Sequence, residues 1–254
     1  VARSPFIELG DPRSPFRIPI LHEDRSVIAI DKPAGWLLVP FNWQSTQRNL
    51  QAAITSSISA GDYWAKSRNL RYLRNVHRLD GDTSGVLLLA KSQGALETYS
   101  GLFEARKMSK TYLAVVRGIP KEKEWICQEK LGPDPKQVGR VLVDAKNGKE
   151  AETRFRFLRS QGECSLVEAF PLTGRTHQIR VHLCQAGLPI VGDDLYSPPA
   201  SASSKTRGRG ASEFPLGLRA VELAYFDPFQ RKPVHINAPA DPFLLAFGFR
   251  QDAV

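Results

Sequence analysis

Val76-His77-Arg78-Leu79-Asp80-Gly81-Asp82-Thr83-Ser84-Gly85 runs directly into Val86-Leu87-Leu88-Leu89-Ala90. The second half is a continuous apolar run bounded by turn residues, the pattern of a strand buried on both faces. The first half is polar and turn-rich, as are loops that present function at the mouth of a sheet. Asp80 is a candidate nucleophile or general acid/base, and Thr83 and Ser84 offer local hydrogen bonds. A plain turn explains the same residues equally well, because Asp, Gly, Thr and Ser all favour turns.

Outward from this stretch the chain alternates short strands with few helices. A strand is expected at 26–30, ending in the turn Asp31-Lys32-Pro33-Ala34-Gly35. Helical spacing of Leu50, Ala53, Ile54 and Ile58 predicts a helix over 46–60, with Ser45 as its cap. Ala95, Leu96, Tyr99, Leu102 and Phe103 mark an amphipathic helix ending in Arg106-Lys107. Further strands are expected at 111–116, 140–144, 153–158 and 165–170, and a helix at 176–186, closed by Gly187 and Pro189. The pattern implies an α+β fold with a mixed, largely antiparallel sheet flanked by helices and loops. Residues 1–20, rich in Pro and Arg, read as an extended arm ahead of one catalytic domain over 21–254. The stretch 197–212, which carries Lys205, Arg207 and Arg209 and no acidic residue, reads as a mobile basic loop.

Composition narrows the function classes. The 254 residues carry 35 Lys and Arg against 26 Asp and Glu, a net charge of +9, and such a field attracts polyanions, nucleic acid above all. No apolar run approaches the ~18 residues of a membrane span, so no membrane association is expected. Three widely spaced cysteines, Cys127, Cys164 and Cys184, argue against a disulfide framework and a structural zinc site. No secretory signal is visible near the N-terminus, and cytoplasmic location is the expectation.

Two more stretches carry chemistry. Thr173-Gly174-Arg175-Thr176-His177-Gln178-Ile179-Arg180-Val181-His182 places Gln178 and His182 on one helix face, with Arg175 and Arg180 near its start. His177 and His182 fall on different faces, which speaks against a two-histidine metal site, and no metal is expected. An arginine held near Asp80 would keep that carboxylate ionised. In the third stretch, Lys110-Thr111-Tyr112, the tyrosine is either a stacking platform for a base or core of a strand.

Taken together, these residues resemble the RluA-type pseudouridine synthases. The matching elements occur in the family's order: His22-Glu23-Asp24 through Lys32-Pro33-Ala34-Gly35, the HRLD and TSG elements of 77–85, Lys110-x-Tyr112 with Gly118, and the TGRTHQIR of 173–180. The resemblance spans roughly 19–239. It implies the pseudouridine synthase fold and isomerisation of a uridine in ribosomal or transfer RNA, by base flipping and without a cofactor. It implies further that Asp80 is the catalytic aspartate, that Arg175 pairs with it, and that Tyr112 stacks on the target uracil. Arg78 matches an arginine that enters the RNA stack where the uridine leaves, and His77 and Thr83 look supportive.

RNA contacts are expected from Arg78, His77, Thr83, Lys110, Gln178 and Arg180, and from Lys205, Arg207 and Arg209 in the basic loop. Gly81, where a basic residue is usual, and Ser197-Pro198, where a glycine is usual, depart from the family's pattern. The alternative is an RNA-binding or RNA-folding factor whose catalysis is secondary. No obligate protein partner is inferred, and a monomer is the expectation.

Overall fold

The computed structural model describes residues 4–11, 13–38, 48–197 and 215–249. The chain forms two compact units, the first from 1–109 with 222–238, the second from 110–221 with 239–254. The arm expected at 1–20 is therefore corrected. Its alternating apolar residues form β1 (Phe6–Leu9), paired antiparallel with β2 (Phe16–Glu23), and Ile7 and Ile18 are completely buried. Pro and Arg at the turn do not oppose pairing on either side of it.

β2 pairs with β3 (Val27–Lys32), whose sequence VIAIDK lacks alternation because the strand is buried on both faces. The helix expected at 46–60 begins later, as α1 (Leu50–Ala60). Its cap is Asn49, whose side chain accepts from the Ala52 amide at 3.0 Å; the expected cap, Ser45, lies outside the described residues. A short α2 (Tyr63–Lys66) and β4 (Arg74–Asn75) follow. The apolar run becomes β5 (Ser84–Ala90), antiparallel to β3, and leads into α3 (Gln93–Glu104), capped by Ser92. Tyr99 of α3 lies fully buried against Val27, Ala29, Val86 and Leu88, in the core of the first unit.

β6 (Met108–Arg117) opens the second unit. After it come β7 (Glu124–Cys127), the small ribbon β8 (Leu131–Pro133) with β9 (Val141–Val143), β10 (Thr153–Gln161), β11 (Cys164–Pro171) and α4 (Gln178–Gln185). The strand order is β6-β11-β10-β7, all antiparallel. Alternation divides β6 cleanly. Ala114 and Val116 pack with Phe155, Ile179 and Leu183, whereas Leu113 and Val115 pack with Leu244 and Phe249.

The chain returns to the first unit within β12 (Leu218–Asp227), which pairs with β13 (Lys232–Asn237). α5 (Asp241–Ala246) then completes the second unit. No helix among the described residues is long and apolar enough to cross a membrane.

Candidate functional site

In the first unit the site is the loop between β4 and β5, and a buried lysine holds it. Lys32, the last residue of β3, is completely excluded from solvent. Its ammonium donates to the carbonyls of Gly81 at 2.7 Å, Thr83 at 2.9 Å and Pro33 at 3.1 Å, so all three protons have acceptors. The Gly35 amide donates to the Gly81 carbonyl at 3.0 Å, and the Thr83 amide to the Asp80 carbonyl at 3.2 Å. Gly85 leaves the loop with φ +110°, a conformation side chains rarely adopt, and so lets the chain enter β5. These bonds fix the backbone from Asp80 to Thr83, and the Asp80 side chain is half-buried.

The neighbouring expected residues divide into two kinds. Arg78 is exposed. His77 is turned inward: its Nε2 accepts from the Leu88 amide at 3.1 Å, and its ring stacks on Phe103 at 4.6 Å. Thr83 is 2% exposed. The Thr83 side chain is thus buried and the His77 ring directed inward.

The second unit builds a platform around Arg175. Gln178, the first residue of α4, is buried and its amide is fully used. Its Oε1 accepts from the Thr173 hydroxyl at 2.6 Å and the Arg175 amide at 3.0 Å. Its Nε2 donates to the Glu152 carbonyl and the Thr153 hydroxyl, both at 2.9 Å. His182 reaches the same Thr153 hydroxyl at 2.9 Å, as the shared helix face predicts. Arg175 itself is exposed, and its Nε donates to the Glu150 carbonyl at 2.9 Å.

Arg180 is likewise internal. It forms a two-pronged ion pair with Asp193, both bonds 2.8 Å, over the ring of Tyr196. The helix expected from 176 starts two residues later because His177 takes a left-handed conformation, φ +53°, and its Nδ1 lies 2.8 Å from the Tyr196 hydroxyl. The expectation that Gln178 and Arg180 contact RNA is corrected: their donors are directed into the protein. Polarity alone suggested a surface, and no local signal reveals the partner at Asp193.

Tyr112, half-buried and paired with Ala169 across β6 and β11, lies on the α4 face of β6. Lys110 shares that face by the two-residue period, and its ammonium donates to the Thr173 carbonyl at 3.1 Å. Asp80 belongs to the first unit, and Tyr112 and Arg175 to the second. Lys205, Arg207 and Arg209 lie outside the described residues. The residue that sequence reasoning left without a role is Lys32. Its signal is a lysine at the end of a strand that is buried on both faces.

Burial pushes the pKa of both loop lysines down to about 8, and at Lys32 the negative charges of Asp82 and Asp80 oppose the shift. Both remain ammonium ions at pH 7. An unfolded lysine holds its proton to about 10.4. Between about pH 8 and 10 the unfolded chain therefore binds more protons, and the contribution of these lysines to stability rises with pH. Side-chain ¹⁵N NMR should show the ammonium groups of Lys32 and Lys110 titrating near pH 8. If every lysine titrates above 9.5, the burial argument fails.

Comparison with known proteins adds a family to this geometry. Residues 26–185 match the family described as RNA pseudouridylate synthase. The chain is 32% identical over 221 residues to the dual-specificity RNA pseudouridine synthase RluA of Vibrio cholerae, covering 87% of this chain and 82% of that protein. It is 36% identical over 223 residues to the ribosomal large subunit pseudouridine synthase C of Yersinia pestis, of which it spans 65%. In fold it is similar to human RNA pseudouridylate synthase domain containing 4, with a TM-score of 0.70 at 24% identity, covering 89% of this chain and 90% of that one.

Proposed function

The chain belongs to the RNA pseudouridylate synthase family, and from that premise we propose that it isomerises a uridine of ribosomal or transfer RNA through the carboxylate of Asp80. The reaction breaks the C1′–N1 glycosidic bond and joins C1′ to C5 of the same uracil. A proton leaves C5 and N1 gains one, so no electron is transferred and no group is lost. Asp80, half-buried on a backbone that Lys32 pins through the carbonyls of Gly81 and Thr83, is the observation that carries the reading.

A carboxylate in this role must be ionised and held where an extruded nucleoside can reach it. Extrusion costs about a few kcal/mol of lost stacking. The exposed guanidinium of Arg78, two residues before Asp80, is suited to fill the space the base vacates. Tyr112 and Arg175, each presented from a hydrogen-bonded frame of the second unit, carry a flat aromatic face and a cation, the groups that stacking on a uracil and holding a carboxylate ionised require.

The test is release of tritium from RNA labelled at uracil C5. RNA from cells lacking this protein should lose label to water when the purified chain is added, and the label retained should mark the unmodified uridines. No release from any RNA fraction would overturn the reading and favour an RNA-folding role.

A further inference from the structure

At the end of the first unit's sheet opposite the Asp80 loop lies a cleft of about 380 Å³, lined by Glu23, Asp24, Arg25, Arg68, Arg71 and Lys91 among others. The strand register fixes its place. β3 and β5 pair from Lys32 with Gly85, beside the catalytic loop, to Val27 with Ala90 at the far end. Arg25 precedes Val27 and Lys91 follows Ala90, so at about 3.3 Å per residue the cleft is about 20 Å along the sheet from the loop.

The charges of the cleft do not cancel. Both carboxylates are committed to the protein. Glu23 receives the Arg68 Nε and the Lys91 ammonium, each at 2.8 Å. Asp24 accepts from the amides of Ser26 at 2.7 Å and Val27 at 2.8 Å, and from the Gln230 side chain at 2.8 Å. The Arg68 side chain is 3% exposed and forms the rigid floor. Arg25 and Arg71 are exposed on the walls, and neither guanidinium has a hydrogen bond or ion pair with any described residue.

Two guanidiniums without a partner among the described residues, on a cleft whose floor charges (Arg68 and Lys91 against Glu23 and Asp24) cancel, leave a net charge of two positives that an anion completes. We propose that this cleft is a second RNA-binding site, which takes backbone phosphate of the RNA several nucleotides away from the modified uridine. The inference rests on the reading of the chain as an RNA-modifying enzyme. Phosphate contacts position an RNA without reading its sequence. The site would therefore set affinity and register for long substrates and leave the chemistry at Asp80 unchanged.

The experiment compares RNA binding by the wild-type chain and by Arg25→Ala/Arg71→Ala, from 50 to 300 mM salt, with Lys121→Ala/Lys123→Ala as a control of equal charge loss. Two RNAs are used, one long and one trimmed to the stem-loop around the modified uridine. The Arg25/Arg71 variant should bind the long RNA about tenfold or more weakly at low salt, with its log–log salt slope reduced in magnitude by about 1 to 2. The trimmed RNA should bind both proteins alike, and melting temperatures should agree, since neither arginine has a partner to lose among the described residues.

Equal slopes for the wild type and the Arg25/Arg71 variant would overturn the proposal. So would an equal loss in the Lys121/Lys123 control, which would mark bulk charge. Saturation of the cleft by inorganic phosphate alone, followed by NMR of the arginine side chains, with no change in the RNA slope would assign it to free phosphate and overturn the RNA source. Binding is read independently of turnover. A wild-type chain that binds through the cleft but releases no tritium therefore sinks the enzymatic reading and leaves the cleft standing.

Discussion

Asp80→Asn is expected to abolish pseudouridine formation, lowering turnover by about 1000-fold or more, the scale of removing a reacting group and about 4 kcal/mol of barrier. The substitution keeps size and shape and removes only the charge. The bonds from the Lys32 ammonium and from the amides of Gly35 and Thr83 all end on carbonyl groups, and the substitution leaves those donors and acceptors in place. Stability should therefore change by only about 1 kcal/mol or less. RNA affinity should stay within a few-fold, since backbone phosphate contacts supply most of it. Asp82→Asn, at an exposed position in the same loop, serves as the control and should remain active. An active Asp80→Asn protein would remove Asp80 from the chemistry. Release of free uracil by the wild type would instead mark hydrolysis of the glycosidic bond.

The sequence made some of this architecture legible for physical reasons that can be traced. Residues 86–90 announce a strand because five apolar residues in a row, followed by a turn, suit a strand covered on both faces. The α3 helix is readable from its period and from Ser92, which caps it. β1 and β2 were hidden, because Ile7, Leu9 and Ile18 are few and Pro and Arg stand between them. Only pairing across the hairpin gathers them on one face. The site followed the same rule. Asp80, Tyr112 and Arg175 stand out by motif and order. What holds the segments around Asp80 and Arg175 does not, because the partners are backbone carbonyls or distant side chains. Lys32 bonds to carbonyls about fifty residues away, and Gln178 to a hydroxyl 25 residues earlier. Residue type marks Gln178 and Arg180 as polar. Only the fold says that their polarity is directed inward.

Lys32→Met is expected to fold, to melt within several degrees of the wild type, and yet to lose about 100-fold in turnover. Two opposing effects nearly cancel in stability. Loss of the ammonium leaves the Pro33 and Thr83 carbonyls without their lysine donor, at about 1 to 3 kcal/mol each where they are buried, whereas Gly81 keeps the Gly35 amide. Against this, the lowering of the Lys32 pKa to about 8 corresponds to about 3 kcal/mol by which the site disfavours the charge, a penalty that methionine does not carry. Catalysis has no such compensation. Once its carbonyls are released, the backbone around Asp80 shifts, and a misplacement of about 1 Å can cost about 100-fold. Arginine should not rescue, because a planar guanidinium does not reproduce the three bonds that a compact, completely buried ammonium makes to the Pro33, Gly81 and Thr83 carbonyls. The deciding measurement pairs a thermal melt with single-turnover kinetics at saturating RNA. A stable Lys32→Met protein with wild-type turnover would remove Lys32 as a positioning residue. Loss of the cooperative melt would make it a residue of folding instead. The expected pattern, an intact fold with a crippled rate, separates holding Asp80 in place from holding the protein together.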